Sequence, residues 1–183
     1  MKTKKPFWKF FAITTSKWKK NETSNLRMKR LKDTTPPINT SIHNTIHGNY
    51  DSSRGELRLS EVVAGNQKFP HFQKVPDLFQ NFCNELNQSL ETIDASNFIE
   101  IHKRAFKAHY DLVSIHPFAD GNGRLSRLIM NYIEQRFDQP LTIVFKEDKE
   151  NYIKALQDTR KSDDMNVFYE FMFGELENSL QLA

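Results

Sequence analysis

Cysteine is almost missing from this sequence, which has only Cys83 among its 183 residues. A lone cysteine excludes an internal disulfide and is typical of a reducing compartment, so we expect a cytoplasmic protein. Long apolar runs are also missing, since none approaches the roughly 20 residues that cross a bilayer. No small-residue cleavage site follows the basic start. We therefore expect neither a membrane span nor a signal peptide.

Charge of one sign does not dominate the chain as a whole. The net charge is +3, but residues 1–37 hold eleven Lys and Arg against Glu22 and Asp33, a local charge of +9 that leaves −6 for the rest. This basic stretch ends at Pro36-Pro37, a composition break typical of a boundary. We predict an N-terminal arm over residues 1–37 and one globular domain over residues 38–183.

The basic arm also carries aromatic side chains, and this combination has two interpretations. Lysines and aromatic rings together are typical of contact with nucleic acid or with an anionic membrane surface. Alternatively, the arm packs its rings on the domain, which we favour because the charges are not segregated onto one face. Nucleic acid is therefore not the partner that we expect.

Hydrophobic periodicity predicts a mostly helical domain. Apolar residues recur at spacings of three and four over residues 75–90 and 98–113, and a third helix is predicted from about residue 124 to about residue 137. After a short extended piece over 141–145, two more helices are predicted around 147–160 and 166–180. The apolar faces of the first three helices include Leu78, Phe98 and Leu128.

A β-hairpin is predicted ahead of the helices. Residues 57–64 and 67–69 flank Gly65-Asn66, and a glycine at the first of two loop positions favours a two-residue hairpin turn. Pro70 ends the second strand early.

A polar loop, HPFADGNGRLSR over residues 116–127, separates two apolar helices. Pro117 disfavours helical geometry at His116, so the preceding helix ends there and presents the imidazole at the loop. A histidine in such a position can act as a general base near neutral pH.

The second half of this loop indicates phosphate binding. Gly121 and Gly123 precede a helix start, where backbone N–H groups converge on an anion. Arg124 and Arg127 occupy the first turn of that helix, where the helix dipole disfavours cations, so an anionic ligand is expected. Asp120 adds a carboxylate of the kind that holds Mg²⁺ beside nucleotide phosphates.

On these residues the sequence resembles the Fic family, whose pattern H-P-F-x-[DE]-G-N-G-R-x-x-R is matched at every specified position. The resemblance extends over residues 40–175, and Gly55-Glu56-Leu57-Arg58 is similar to the G-x-[FY]-R that leads into the family's flap. It implies an all-α helical bundle with a small β-hairpin flap. It also implies an enzyme that transfers AMP from Mg-ATP to a hydroxyl side chain (Ser, Thr or Tyr) of a target protein.

The resemblance implies a role for each position of the motif. His116 would deprotonate the target hydroxyl, and Asp120 would bind Mg²⁺. The remaining nucleotide-binding positions would be Gly121, Asn122 and Gly123 at the α- and β-phosphates, Arg124 at the β-phosphate, Arg127 at the γ-phosphate, and the intervening Leu125 and Ser126. Phe118 would be a packing anchor.

Two further sites follow from the resemblance alone. Flap residues Val62, Val63, Ala64 and Gly65 would dock an extended segment of the target. Tyr152 and Ile153 would form a wall of the adenine pocket, unless they serve ordinary helix packing. The related Doc proteins, which phosphorylate, have Lys where this chain has Gly123-Arg124, so the resemblance favours AMP transfer.

Other outcomes of the same fold stay open at this point. A Fic relative can transfer a different nucleotide or phosphocholine, or remove AMP. The family's inhibitory [ST]-x-x-x-E-[GN] helix has no complete copy: Glu177-Asn178 has Phe173, and Glu150-Asn151 has Lys146, at the Ser or Thr position. We therefore lean towards a missing inhibitor or a separate inhibitory, antitoxin-like protein.

Overall fold

The computed structural model describes residues 55–65 and 67–181, so the predicted N-terminal arm lies outside the described residues. The described chain is mostly helical with one small sheet, which confirms the predicted all-α bundle with a hairpin. The elements in chain order are β1 (Val63–Ala64), β2 (Gln67–Lys68), a 3-10 turn (Phe72–Lys74), α1 (Val75–Thr92), α2 (Phe98–Ile115), α3 (Asn122–Arg136), α4 (Lys149–Ser162) and α5 (Met165–Gln181).

The hairpin forms where it was predicted but is shorter. Val63 pairs with Lys68 and Ala64 with Gln67 in an antiparallel register. Gly65 has φ +57°, a left-handed conformation that glycine adopts without steric cost. Residues 57–62 do not join the strand because this stretch turns to the polar loop, where the backbone N–H of Arg58 donates to the Pro117 carbonyl at 2.9 Å.

Local signals explain where the helices begin. Pro76 occupies the first turn of α1, where its missing N–H costs nothing. Asn97 caps α2, its side chain accepting from the backbone N–H of Glu100 at 3.0 Å. The third helix starts at Asn122, two residues before the predicted position, because Gly121 at φ 83° caps it and accepts from the backbone N–H of Leu125 at 2.9 Å.

Helix α2 is the centre of the core and packs against α1, α3 and α5. Its apolar side chains Ile101, Phe106 and Leu112 are fully buried, and each such burial contributes about 1.5–3 kcal/mol. Three residues assigned to apolar faces from the sequence lie instead at the margins of those faces. Leu78 is 36% exposed, Phe98 39% and Leu128 49%.

The stretch 141–145 is held by side chains instead of by a neighbouring strand. The backbone N–H of Thr142 donates to Glu134 Oε2 at 2.9 Å, that of Ile143 to Ser179 Oγ at 2.9 Å, and that of Phe145 to Glu175 Oε2 at 3.0 Å. These acceptors lie on α3 and α5, so the connection into α4 is fixed at both flanks.

The buried carboxylate of Glu134 links three elements. His102 Nδ1 lies 3.1 Å from Glu134 Oε1, and the Thr142 hydroxyl donates to the same oxygen at 2.6 Å. Partners of this kind are what a buried carboxylate requires.

None of the helices within the described ranges is long and apolar enough to cross a membrane.

Candidate active site

His116 lies immediately after α2, as Pro117 predicts. Its backbone has φ 52° and ψ 59°, and its N–H closes the helix by donating to the Leu112 carbonyl at 2.9 Å. A left-handed conformation costs a non-glycine residue roughly 1–2 kcal/mol. The surroundings must therefore hold His116 in place, with its imidazole between the last turn of α2 and Phe69, which follows the hairpin.

The imidazole of His116 is oriented by one hydrogen bond and one ring contact. Nδ1 lies 3.3 Å from the Val113 carbonyl oxygen, and because a carbonyl only accepts, Nδ1 carries the hydrogen. The lone pair is then on Nε2. The Phe69 ring stacks on the imidazole with centroids 3.9 Å apart. His116 thus presents a basic nitrogen in a fixed orientation.

The surroundings of His116 keep it neutral. Burial, as the largest cause, and the charges of Arg58 and Arg160 together lower its pKa from 6.5 to about 4, while the Val113 carbonyl and Asp120 act in the opposite direction. At neutral pH the imidazole is therefore able to accept a proton.

The loop between His116 and α3 is fastened by Asn122. Its side-chain Oδ1 accepts from the backbone N–H of Phe118 at 3.0 Å, and its Nδ2 donates to the Phe118 carbonyl at 2.8 Å. The Phe118 ring is fully buried and makes an edge contact with Phe79 at 5.6 Å. The Asn122 side chain is thus used for loop structure, and its backbone N–H is the group available to a ligand.

The first turn of α3 offers a binding site for an anion. Gly121 caps this helix with no side-chain hydrogen bond, so the N–H groups at the start of α3 have no capping side chain. A Cβ added to Gly123 would lie 3.7 Å from Nη1 of Arg127. The Arg127 guanidinium therefore folds back along the same turn that exposes these N–H groups.

Arg124 and Asp120 form an ion pair at the mouth of the loop. Arg124 Nη2 lies 2.9 Å from Asp120 Oδ2, and both side chains are about half exposed. Because the pair is exposed and four residues apart on one turn, it is worth little and exchanges readily. Both groups are accessible to a ligand that carries phosphate and a cation.

Arg127 is bordered by a buried pair that the sequence did not reveal. His109 Nε2 lies 2.8 Å from the Tyr152 hydroxyl, and the His109 ring stacks on Phe168. Burial and the Arg127 charge together lower the His109 pKa from 6.5 to about 3, against the opposing effect of the Ser126 backbone. Burial raises the Tyr152 pKa to about 12 against the opposing effects of Arg127 and Arg160. Both groups are therefore neutral neighbours of the Arg127 charge. The available signal was that His109 lies seven residues, or two helical turns, before His116 at the end of α2.

The two positions assigned to an adenine pocket occupy different environments on α4. Tyr152 is packed against His109, Phe168 and Phe171. Ile153 is 41% exposed. Arg160, two turns further along α4, is half-buried, and its Nη2 lies 3.4 Å from Ser114 Oγ on α2.

The predicted docking residues lie along the tip of the hairpin. Val63 is 70% exposed, Ala64 and Gly65 are exposed, and Val62 is partly buried. Leu59, before the first strand, is 84% exposed. The flap therefore offers an apolar strand on the side of the molecule from which Phe69 reaches His116.

Arg58 connects the flap to the polar loop. The sequence pattern had placed it in the Gly55-Glu56-Leu57-Arg58 motif without predicting a role for it. Its side chain is buried, its Nε donates to the His116 carbonyl at 2.8 Å, and its Nη1 donates to the Ser60 carbonyl at 2.9 Å. Nη2 also donates to the Pro70 carbonyl. These partners could not be inferred from local sequence, since His116 lies 58 residues away.

No intramolecular carboxylate binds Arg127 in the part of the chain that the structure describes, where it takes part in none of the ion pairs. The two glutamates nearest to the inhibitory pattern, Glu150 and Glu177, are exposed on α4 and α5.

A sequence model of the Fic/DOC family matches residues 36–133. The chain therefore belongs to the Fic/DOC family, which confirms the resemblance that the motif predicted.

Curated relatives carry the name protein adenylyltransferase Fic. The relative from Aedes aegypti is 35% identical over 142 residues, which cover 77% of this chain and 27% of the relative. The relative from Drosophila mojavensis is 34% identical over 142 residues, with the same coverage of 77% and 27%. This chain thus spans about a quarter of the length of the curated relatives that it matches.

Solved structures share the fold. A Fic domain containing signaling protein from Bacteroides thetaiotaomicron superposes with a TM-score of 0.69 at 22% identity, covering 80% of this chain and 60% of that one. Fic-1 from C. elegans (residues 134–508) superposes with a TM-score of 0.63 at 29% identity, covering 79% and 41%. At 22% identity, the similarity to the Bacteroides thetaiotaomicron protein supports the fold alone.

Proposed function

We propose that this protein transfers AMP from ATP to a hydroxyl side chain of a target protein. The observation that carries the proposal is the arrangement around α3. A neutral, oriented His116 lies at one end of the loop, and a helix N-terminus with two arginines lies at the other. The relatives named protein adenylyltransferase support the same chemistry.

The reaction begins at His116. The Nε2 lone pair takes the proton of a Ser, Thr or Tyr hydroxyl, because Nδ1 is engaged with Val113 and Nε2 is the remaining basic atom. The hydroxyl oxygen forms a bond to the α-phosphorus of ATP. The bond from that phosphorus to the bridging oxygen of the β-phosphate breaks, and pyrophosphate leaves with the electron pair.

The charge of the leaving pyrophosphate is stabilised at α3. Backbone N–H groups of Gly121, Asn122 and Gly123 bind the α- and β-phosphates, Arg124 contacts the β-phosphate and Arg127 neutralises the γ-phosphate. Leu125 and Ser126 complete the turn, and both are buried. Fixed donors and arginines at a phosphate contribute most of the rate enhancement in reactions of this class.

Asp120 is the residue that would hold Mg²⁺. No cluster of three or more potential ligands occurs within the described ranges, and Mg²⁺ in nucleotide sites commonly takes one or two carboxylates together with phosphate oxygens and water. The half-exposed carboxylate of Asp120 fits that requirement. When bound, the ion neutralises phosphate charge, and Asp120 positions it next to Arg124.

The remaining predicted residues serve the two substrates. Tyr152 and Ile153 lie on α4, the helix that borders Arg127, and would form one wall of the adenine pocket. Val62 to Gly65 would pair with an extended segment of the target, a mode in which main-chain hydrogen bonds provide most of the affinity. The target is thus recognised by its extended shape and by its hydroxyl group.

Regulation and location follow from two observations. Because Arg127 takes part in no ion pair among the described residues, a separate inhibitory protein could supply a glutamate to it. Cys83 is the one cysteine of the sequence and is buried, and burial raises its pKa to about 12. A sequence that can form no internal disulfide suits a reducing compartment such as the cytoplasm.

The proposal is tested by mass spectrometry of a cell lysate incubated with the purified chain and Mg-ATP. We expect peptides that carry AMP on a hydroxyl side chain with the wild-type chain and none with His116→Ala. Peptides carrying phosphate or another group, or modification that persists in His116→Ala, would contradict the proposal.

His71→Ala is the matched control for the histidine substitution. His71 is exposed, and its contacts are Glu61 at 3.3 Å, the backbone N–H of Gln73, which donates to Nδ1 at 3.4 Å, and the stacked ring of Phe72. Loss of these exposed contacts should lower stability by about 1 kcal/mol or less. We expect AMP-bearing peptides at close to the wild-type level with this variant. Melting curves of both variants establish that each is folded.

A further inference from the structure

Arg58 is an unusual buried arginine, because its side chain is 4% exposed and its hydrogen bonds go to backbone carbonyls. The guanidinium spans three segments of chain: the His116 carbonyl at 2.8 Å, the Ser60 carbonyl at 2.9 Å and the Pro70 carbonyl. Its own backbone N–H donates to the Pro117 carbonyl at 2.9 Å. Two of these acceptors belong to consecutive residues of the polar loop, and two belong to the ends of the flap.

The first pair of bonds acts on the conformation of His116. This residue has φ 52°, a value that persists in a non-glycine residue only where neighbours over-determine it. The Arg58 side chain holds the His116 carbonyl, and the Arg58 backbone holds the next carbonyl along. Arg58 thus fixes the backbone on the C-terminal side of the His116 Cα, and the bond from the His116 N–H to the Leu112 carbonyl fixes the N-terminal side.

The second pair of bonds acts on the ring that covers His116. Phe69 stacks on the imidazole at 3.9 Å and immediately precedes Pro70, whose carbonyl accepts from Arg58. Ser60 lies at the other end of the flap. The Arg58 guanidinium thus fixes both the backbone of His116 and the segment that carries Phe69.

We propose that Arg58 is the positioning residue for the general base, holding the His116 imidazole in its productive orientation by clamping the polar loop to both ends of the flap. This inference rests on the proposed role of His116 in AMP transfer. Arg58 touches no reacting atom and acts through the His116 carbonyl and through Phe69. The residues at the two ends of the flap, Ser60 and Pro70, and the general base His116 are then held by the same side chain.

Arg58→Lys and Arg58→Gln test the proposal, with Arg104→Lys and Arg104→Gln as matched controls. Arg104 is exposed and pairs with Glu100 on the same helix at 2.7 Å. Lysine keeps the charge of Arg58 and at most part of its hydrogen bonding, whereas glutamine removes the charge. Phe69→Leu removes the stacked ring without altering a hydrogen bond of Arg58.

Two measurements separate positioning from general stabilisation. The first is kcat and KM for AMP transfer, measured on samples whose folded fraction is known from melting curves. The second is NMR titration of the His116 ring, which needs no substrate. The charged groups facing His116 are Arg58 before the flap, Arg160 on α4 and Asp120 in the loop, so Arg160 and Asp120 are left unchanged in every variant.

For folded Arg58→Lys we expect kcat to fall about 100-fold, the loss that a misplaced catalytic group produces, with KM for ATP changed by less than about threefold. Phe69→Leu should lower kcat in the same direction. In Arg58→Lys, which keeps the positive charge, the His116 pKa should move up towards its ordinary value as the imidazole becomes exposed. In Arg58→Gln the loss of charge alone raises this pKa, so that variant is compared by kcat and KM. The Arg104 variants should change none of these quantities.

The proposal is overturned if Arg58→Lys and Phe69→Leu retain the wild-type kcat and the wild-type His116 titration while only the melting temperature falls. Its failure is distinguishable from failure of the proposed function. If the wild-type chain transfers no AMP, the NMR titration still reports whether Arg58 controls the His116 ring.

Discussion

The Nε2 atom of His109 lies 2.8 Å from the hydroxyl oxygen of Tyr152. This contact joins the middle of α2 to the first turn of α4, beside the Arg127 side chain. It links the buried imidazole to a side chain on another helix, while the Ser126 backbone approaches the same ring and raises its pKa. The pair is therefore one of the polar links that hold α4, which carries Tyr152 and Ile153, against α2, and the contact of Arg160 Nη2 with Ser114 Oγ at 3.4 Å is another.

Tyr152→Phe should destabilise the protein, because it leaves His109 Nε2 buried without a partner. We expect a loss of about 1–3 kcal/mol in the free energy of unfolding, measured by urea denaturation. Tyr169→Phe keeps the ring that lies 5.5 Å from Lys103 Nζ and should change stability by less than about 0.5 kcal/mol. Equal stability of the two variants would show that the His109 contact contributes nothing.

Gly123→Ala should separate ligand binding from folding. The added Cβ would meet only Arg127 Nη1, at an ordinary contact distance of 3.7 Å, and alanine in a helix is favoured over glycine by up to about 1 kcal/mol. We expect unchanged or higher stability, together with at least about tenfold weaker ATP binding by calorimetry, since the methyl group lies where a phosphate would approach.

The matched control for this substitution is Gly174→Ala on α5. No atom lies within 4 Å of a Cβ added there, so this variant should also keep its stability while binding ATP as the wild type does. If Gly123→Ala binds ATP with the wild-type affinity, the phosphates do not lie at the first turn of α3, and the proposed binding site is wrong.

Asn122→Ala should disrupt the loop more than its small size suggests. Both side-chain hydrogen bonds to the buried Phe118 backbone are lost, at about 0.5–1.5 kcal/mol for each bond. Asn84→Ala on the exposed face of α1 removes a surface amide that pairs with Gln80 and serves as the control. A melting temperature equal to that of Asn84→Ala would contradict the role assigned to Asn122.

Stability should fall as the pH is lowered from about 6.5. The pKa of His109 is lowered from 6.5 to about 3 and that of His116 from 6.5 to about 4. Between pH 6.5 and the lowered pKa of each histidine, the unfolded chain binds protons that the folded chain excludes. The free energy of unfolding therefore decreases with decreasing pH over this range. His109→Gln should reduce the slope by up to one proton, about 1.4 kcal/mol per pH unit, in urea denaturation at pH 5 to 7. An unchanged slope would show that His109 is protonated in the folded state.

Local pattern was enough to predict most of the fold. Helices α1 and α2 begin at the predicted residues because their apolar spacing is regular and their first turns carry Pro76 and Asn97. Leu128 was assigned to the apolar face of α3 but is 49% exposed at the margin of that face, because spacing alone does not reveal the width of the partner surface. The anchors of residues 141–145 lie on α3 and α5, so no local signal could predict them.

The candidate site divides in the same way. The residues from His116 to Arg127 form one continuous motif, whose chemistry can be inferred from neighbours in the sequence. Arg58 and Tyr152 approach that motif from distant segments, 58 residues before His116 in one case and 43 residues after His109 in the other. Such contacts form only in the assembled bundle. The sequence therefore indicated the residues of the motif and not the residues that hold them in position.

The measurement to make first compares two labels on one target. Purified chain is incubated with a lysate and Mg-ATP labelled either on the α-phosphate or on the γ-phosphate, with His116→Ala in parallel. We predict that protein-bound label comes from the α-phosphate alone and disappears in His116→Ala. Transfer of the γ-label would instead show phosphorylation, and α-label that persists in the variant would show that His116 is not the base.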